Sequence, residues 1–110
     1  MAVAGPGLRE ARVILDAALQ RPGPRLTTAD ARVFHADGVL RLRDGNLPAA
    51  RISLLQALAG MRAAGETWRA ATVLDTLGNL HMRLGDASRA RRHFDESLAA
   101  AEFVEAALSE

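Results

Sequence analysis

The chain has no cysteine, no lysine and no tyrosine, and its aromatic side chains are four: Phe34, Trp68, Phe94 and Phe103. Without cysteine there are no disulfides, thiolate metal sites or cysteine nucleophiles, a pattern that suits a reducing compartment and makes the cytoplasm the expected location. Without lysine every cation is an arginine, which points to a GC-rich coding bias and carries no function of its own. Scarce aromatics leave no platform on which nucleic-acid bases would stack. Long apolar runs are missing too. The opening MAVAGPGLREARVILDAALQ has neither a basic start nor an uncharged apolar stretch, so neither a signal peptide nor a membrane span is expected. A formal net charge of +1 exerts no general pull on polyanions.

What the chain does have is alanine, leucine and arginine in abundance, a helix-forming mixture, and an internal repeat. Shifted by 40 residues, ARVFHADGVLRLRDGNLPAARISLLQALA (31–59) lies over ATVLDTLGNLHMRLGDASRARRHFDESLA (71–99). Ala31, Val33, Gly38, Leu40, Arg43, Gly45, Ala50 and Leu58 meet the same residue types at Ala71, Val73, Gly78, Leu80, Arg83, Gly85, Ala90 and Leu98. These are positions where packing would restrict size. A half unit precedes them: Leu8, Ala11, Arg12, Leu15 and Leu19 line up with Leu47, Ala50, Arg51, Leu54 and Leu58.

Punctuation divides the chain into five expected helices, at 7–20, 28–44, 47–64, 67–84 and 86–108, the last with a break near Ala101. Gly45 and Gly85 suit a left-handed helix end, with Asn46 and Asp86 following at once as N-caps. Pro48 falls in a first helical turn, where its missing N–H is no loss. Thr27 or Thr28 caps the helix after the breaker RPGPRL. In the fourth helix Leu74, Leu77, Gly78 and His81 form one stripe; in the fifth Ala90, Phe94 and Leu98 form another. Facing each other, these stripes explain why a helix accepts an interior glycine that costs about 1 kcal/mol relative to alanine: Gly78 opposite Ala90, and Gly38 opposite Ala50, let two backbones approach.

These residues resemble the tetratricopeptide repeat family, whose helix-turn-helix units carry spaced Trp, Leu-Gly, Tyr, Ala, Phe and Pro positions. Leu74-x2-Leu77-Gly78-x2-His81, Gly85-Asp86 and Ala90-x3-Phe94 match best. Phe34, Gly38, Gly45-Asn46, Ala50 and Leu54 match in the preceding unit. The period is longer than the usual 34 or so residues, with the extra length in GMRAAGETWRA; His81 and Arg41 replace tyrosine, the closing proline is missing, and Asp37 stands where Leu77 does. An i, i+4 pair with Arg41 would accommodate Asp37.

The resemblance implies an all-α, TPR-like α-solenoid of antiparallel helix-turn-helix repeats. It forms a single domain over 1–110, with a half repeat at 7–20 and repeats at 28–64 and 67–108. It also implies a non-catalytic protein–protein interaction module, in which first helices line a concave groove that takes a peptide or a partner helix. On that face lie Arg32, His35, Val39, Leu42 and Arg43 in one unit and Thr72, Asp75, Asn79, Met82 and Arg83 in the next. Asn79 offers a donor and an acceptor to a peptide backbone, and Arg43 and Arg83 each suit a carboxylate. The second reading is a homo-oligomeric scaffold, or a regulatory segment of a larger signalling or transcription protein. Phe103, Val104, Ala107 and Leu108 prolong apolar character toward the C-terminus, and both ends read as second helices of a pair without a polar cap.

Other chemistries find little support. His35, His81 and His93 lack metal-ligand spacing, and no serine or threonine stands beside a recognisable base. No cofactor, metal or small-molecule substrate is expected. His81 reads as a packing residue between paired helices. AGPGLRE (4–10) lacks the strand and the lysine of a phosphate loop. Arg83, Arg89, Arg91 and Arg92 cluster, but Asp86, Asp95 and Glu96 share the stretch, so a solvated charged face is expected rather than a nucleic-acid surface. Trp68 is expected to pack at a helix junction.

Overall fold

The computed structural model describes Val13 and residues 27–109. Among these residues there are four helices and no strand: α1 (Thr28–Arg43), α2 (Leu47–Ala63), α3 (Thr67–Arg83) and α4 (Ala87–Leu108). Five helices were expected; the fifth, at 7–20, lies outside the described residues apart from Val13. The other boundaries fall within a residue of expectation. The expected break near Ala101 is absent, since α4 runs unbroken to Leu108 with neither glycine nor proline to interrupt it.

Local chemistry accounts for the starts. Thr27 caps α1 in a reciprocal box: its hydroxyl accepts the Asp30 N–H at 3.1 Å while the Asp30 carboxylate accepts the Thr27 N–H at 3.2 Å. Asn46 Oδ1 accepts from Ala49 N at the head of α2, where Pro48 fits the first turn, and Asp86 Oδ1 accepts from Arg89 N at the head of α4. The helix ends share one device. Gly45, Gly65 and Gly85 have φ of +82°, +71° and +78°, the left-handed conformation that glycine adopts without a steric penalty. At each turn the glycine N–H and the next N–H reach back to two carbonyls of the last helical turn, as Gly45 N does to Leu42 and Asn46 N to Arg41. The turn at Gly65 falls between the expected helices 47–64 and 67–84, although Ala64 and Glu66 around it carry no strong cap signal.

α1 packs on α2 and α3 on α4, while α2 also packs on α3. In the second hairpin Ala71 meets Ser97, Gly78 meets Phe94 and His81 meets His93. Later residues of one helix meet earlier residues of the other, so the pair is antiparallel. α1 and α3 instead run the same way, since His35 meets Thr76 and the Leu42 carbonyl meets Arg83. The main core lies between α2, α1 and α3, where Ala31, Phe34, Leu54, Leu58, Met61, Val73, Leu77 and Leu80 are buried together.

The interior glycines do make room for the partner helix, but for a side chain one turn beyond the expected alanine. A Cβ at position 78 would stand 2.5 to 2.8 Å from three ring atoms of Phe94, and one at position 38 would stand 2.6 Å from Leu54 Cγ and Cδ2. Each glycine is therefore a socket for a large knob; the Ala50 carbonyl would stand 3.4 Å from a Cβ at position 38, and Ala50 and Ala90 are both buried. Leu98 does not complete the expected stripe. It is exposed, and the neighbouring Ser97 turns inward to donate a hydrogen bond to the Ala71 carbonyl at 2.9 Å. Val33 and Leu40, taken from the repeat as packing positions, are exposed as well.

Candidate binding cleft

A cleft of about 540 Å³ opens between α1 and α3. α1 contributes Arg32, His35, Ala36, Val39 and Leu40, the end of α2 contributes Met61, and the first turns of α3 contribute Trp68, Arg69 and Thr72. Helical spacing explains the shared wall: Arg32, Ala36, Val39 and Leu40 fall at i, i+4, i+7 and i+8, on one side of α1. The floor is aliphatic. Two guanidiniums stand at its edge, and Arg69 Nε holds Glu66 Oε1 at 3.0 Å.

Trp68 corrects the expectation of a packed junction residue. It is 64% exposed, because position 68 lies on the first turn of α3, past the turn at Gly65, where α2 ends before it can cover the indole. The same side chain borders a second depression, of about 450 Å³, formed by residues 65–69 with Phe103, Val104, Ala107 and Leu108 from the end of α4. Of those four α4 residues only Val104 is partly covered.

The structure divides the expected groove residues. Arg32, His35, Val39 and Thr72 line the cleft. Leu42 is partly buried against the core, and Arg43 is exposed beyond the cleft's end. Asp75, Asn79 and Met82 are exposed on α3, outside the cleft. Arg83 donates through a terminal guanidinium nitrogen to the Leu42 carbonyl at 2.5 Å, so it ties the end of α1 to the end of α3. Sequence reasoning missed Ala36, Leu40, Met61, Trp68 and Arg69. Leu40 and Trp68 looked like packing residues, and nothing local reveals that Met61, at the far end of α2, closes the floor.

His35 joins the two walls. The Thr76 hydroxyl donates its single proton to the Thr72 carbonyl at 3.1 Å, so it accepts from His35 Nε2 at 3.3 Å. Burial pushes the His35 pKa below its ordinary value, favouring the neutral ring. In the second hairpin the His81 and His93 rings stack with centroids 5.1 Å apart. Burial first, then the neighbouring His93 and the cationic Arg51 and Arg89, lower the His81 pKa against an opposing pull from Asp86. His81 Nδ1 and His93 Nδ1 are both buried without a hydrogen bond among the described residues; Glu96 Oε1 stands 3.4 Å from His93 Nδ1 but is poorly aligned with it. These rings act as packing, as the sequence suggested for His81.

The outward arginines of α4 are interleaved with acids. Arg89 lies 3.6 Å from Asp86, and a shallow depression of about 430 Å³ presents Arg91 and Arg92 together with Asp95 and Glu96. Among the described residues no group of three or more histidines and carboxylates is placed to hold a metal ion, and no helix is long and apolar enough to cross a membrane. Comparisons of the chain with protein-family models, with curated proteins and with solved structures found no match, so the chemistry of the cleft has to be read from its own geometry.

Proposed function

We propose that the chain is a non-catalytic, cytoplasmic protein–protein interaction module of the tetratricopeptide type. In this reading the α1–α3 cleft receives an extended peptide or a short helix of a partner. The observation that carries it is an open, aliphatic cleft walled by an exposed tryptophan and edged by Arg32 and Arg69. An indole and a guanidinium are the side chains that most often anchor a protein partner, the indole by area and the guanidinium by forked hydrogen bonds to a carboxylate. The ligand chemistry that fits is an apolar segment with a carboxylate at or near its end. Asn79 and Arg43, outside the cleft, belong to a wider rim along the same face.

Trp68 is the chain's one tryptophan and a built-in reporter. Titration with apolar peptides ending in a free carboxylate should change its emission saturably. The change should weaken with the amidated peptides and vanish in Arg32→Glu with Arg69→Glu. Unmoved emission, together with unmoved Val39 and Thr72 amide resonances across the peptide set, removes the reading.

A second reading, a self-assembling scaffold, draws on the depression shared by Trp68, Phe103, Val104, Ala107 and Leu108, where Phe103 and Leu108 are exposed apolar side chains. Light scattering over a concentration series separates the two. A mass that rises in the natural chain and stays monomeric in Phe103→Asp favours assembly, whereas a monomer throughout eliminates it.

A further inference from the structure

We infer that His35 Nδ1 is a fixed hydrogen-bond acceptor in the α1–α3 cleft, matched to a backbone N–H of the peptide segment that binds there. The assignment rests on the peptide-binding reading and adds a polar group that the occupant must bring. Proton counting carries it. A threonine hydroxyl has a single proton to give. That of Thr76 goes to the Thr72 carbonyl at 3.1 Å, so His35 Nε2, 3.3 Å from the Thr76 oxygen, must carry the proton between them. Burial lowers the pKa of the ring and so favours its neutral form. A neutral imidazole protonated at Nε2 keeps its lone pair at Nδ1.

That nitrogen is open. His35 lines the cleft, and among the described residues its Nδ1 takes no hydrogen bond. Nor is it one of the buried, unpartnered ring nitrogens, which are Nδ1 of His81 and Nδ1 of His93. Packing seals those two away from any ligand, whereas the lone pair of His35 stays accessible. Thr72, on the other wall, is in a similar condition: its hydroxyl donates to the Trp68 carbonyl at 3.3 Å, which leaves it only lone pairs to offer. The cleft therefore presents acceptors from both walls and guanidinium donors, Arg32 and Arg69, at its edge. Such a set suits a chain end that turns its carboxylate to the arginines and a backbone N–H to the walls. Proline or an N-methyl residue at the contacting position lacks that donor.

Trp68 emission gives the affinity of N-acetylated pentapeptides of leucine, valine and alanine that end in a free carboxylate. Each is compared with a series in which one amide at a time is replaced by an ester, which removes an N–H and little else. At one position or more the ester should bind about fivefold more weakly, the size of one net hydrogen bond, and that difference should vanish in His35→Phe. Esters that all bind as tightly as their parent overturn the inference while leaving the peptide-binding reading in place. A penalty unchanged in His35→Phe does the same, since it assigns the N–H to Thr72 or another acceptor. Parent peptides that fail to bind overturn both. Imidazole nitrogen-15 spectra of the natural chain need no substitution and so guard against a folding artefact. His35 should show the Nε2–H tautomer, with an Nδ1 signal that moves on saturation with peptide; the opposite tautomer, or an Nδ1 signal that stays put, sinks the assignment.

Discussion

The two hairpins answer the same packing problem with different chemistry. In α1–α2 the socket at Gly38 takes Leu54, which is wholly buried, and the space beside it holds Asp37 with Ser53 and Arg41. In α3–α4 the socket at Gly78 takes Phe94, which keeps part of its ring toward solvent, and the equivalents of Arg41 and Ser53 are the stacked His81 and His93. One gap between paired helices is thus bridged by an ion pair with a hydroxyl, the other by two flat, stacked rings. The glycine and the short turn are common to both. The geometry of the hairpin therefore belongs to them, and the choice of filler is free within its volume.

The largest way to break this parallel is at the knobs. Leu54→Ala should destabilise the chain by about 2–5 kcal/mol, the range for emptying a closed core site, and Phe94→Ala should cost less because its socket is open at one edge. Denaturant unfolding of both variants checks the order; a larger loss at Phe94 would place the stability centre in the second hairpin. Next come the sockets. Gly38→Ala should lose about 1–2 kcal/mol, overpacking against immobile Leu54 outweighing the roughly 1 kcal/mol gain in helix propensity. Gly78→Ala should stay within about 1 kcal/mol of the natural chain, because Phe94 has room to swing outward, and adding Phe94→Leu should make it stabilising. Equal losses at the two glycines would contradict the open-edge account.

Smaller still is the tie between α4 and α3. Ser97→Ala removes a buried donor from the Ala71 carbonyl and should cost about 1 kcal/mol by thermal or chemical unfolding. The equivalent site in the first hairpin is already alanine, Ala57. If Ser97→Ala proves neutral, the hydroxyl is a passenger. The subtlest difference is in pH. The His81 pKa is lowered from its ordinary 6.5 on folding, so below that value the unfolded chain binds a proton that the folded chain resists, and stability falls as the solution is acidified. The midpoint of thermal unfolding should therefore drop between pH 7.5 and pH 5.5, and amide exchange should quicken first in α3–α4. His81→Leu should flatten part of that slope, the remainder coming from His35. An unchanged slope in the variant would mean that the ring stack is not the titrating element.

Much of the architecture was legible along the chain because it is written in local terms. Thr27 with Asp30, Asn46 with Pro48, and Gly85 with Asp86 act within a few residues, and the structure uses each of them. Asp37 finds the partner one turn away that its spacing proposed. The cleft was less legible. Arg32, His35, Val39 and Thr72 could be placed on it from helical phase, but Trp68, Met61 and Leu40 reach it only because three helices converge there. Their residue types gave the opposite impression, since tryptophan, methionine and leucine at helical spacing usually mark a core.

Helix positions, turns and the need for a close approach at Gly38 and Gly78 follow from the sequence alone, since backbone hydrogen bonding, caps and side-chain size act over one or two turns; which side chain fills each socket did not. Which apolar face is covered was decided only by tertiary structure. Val33 and Val73 are the same residue in the same local pattern, and one is exposed and the other buried because burial depends on whether another helix lies alongside, a fact that no window of neighbouring residues contains.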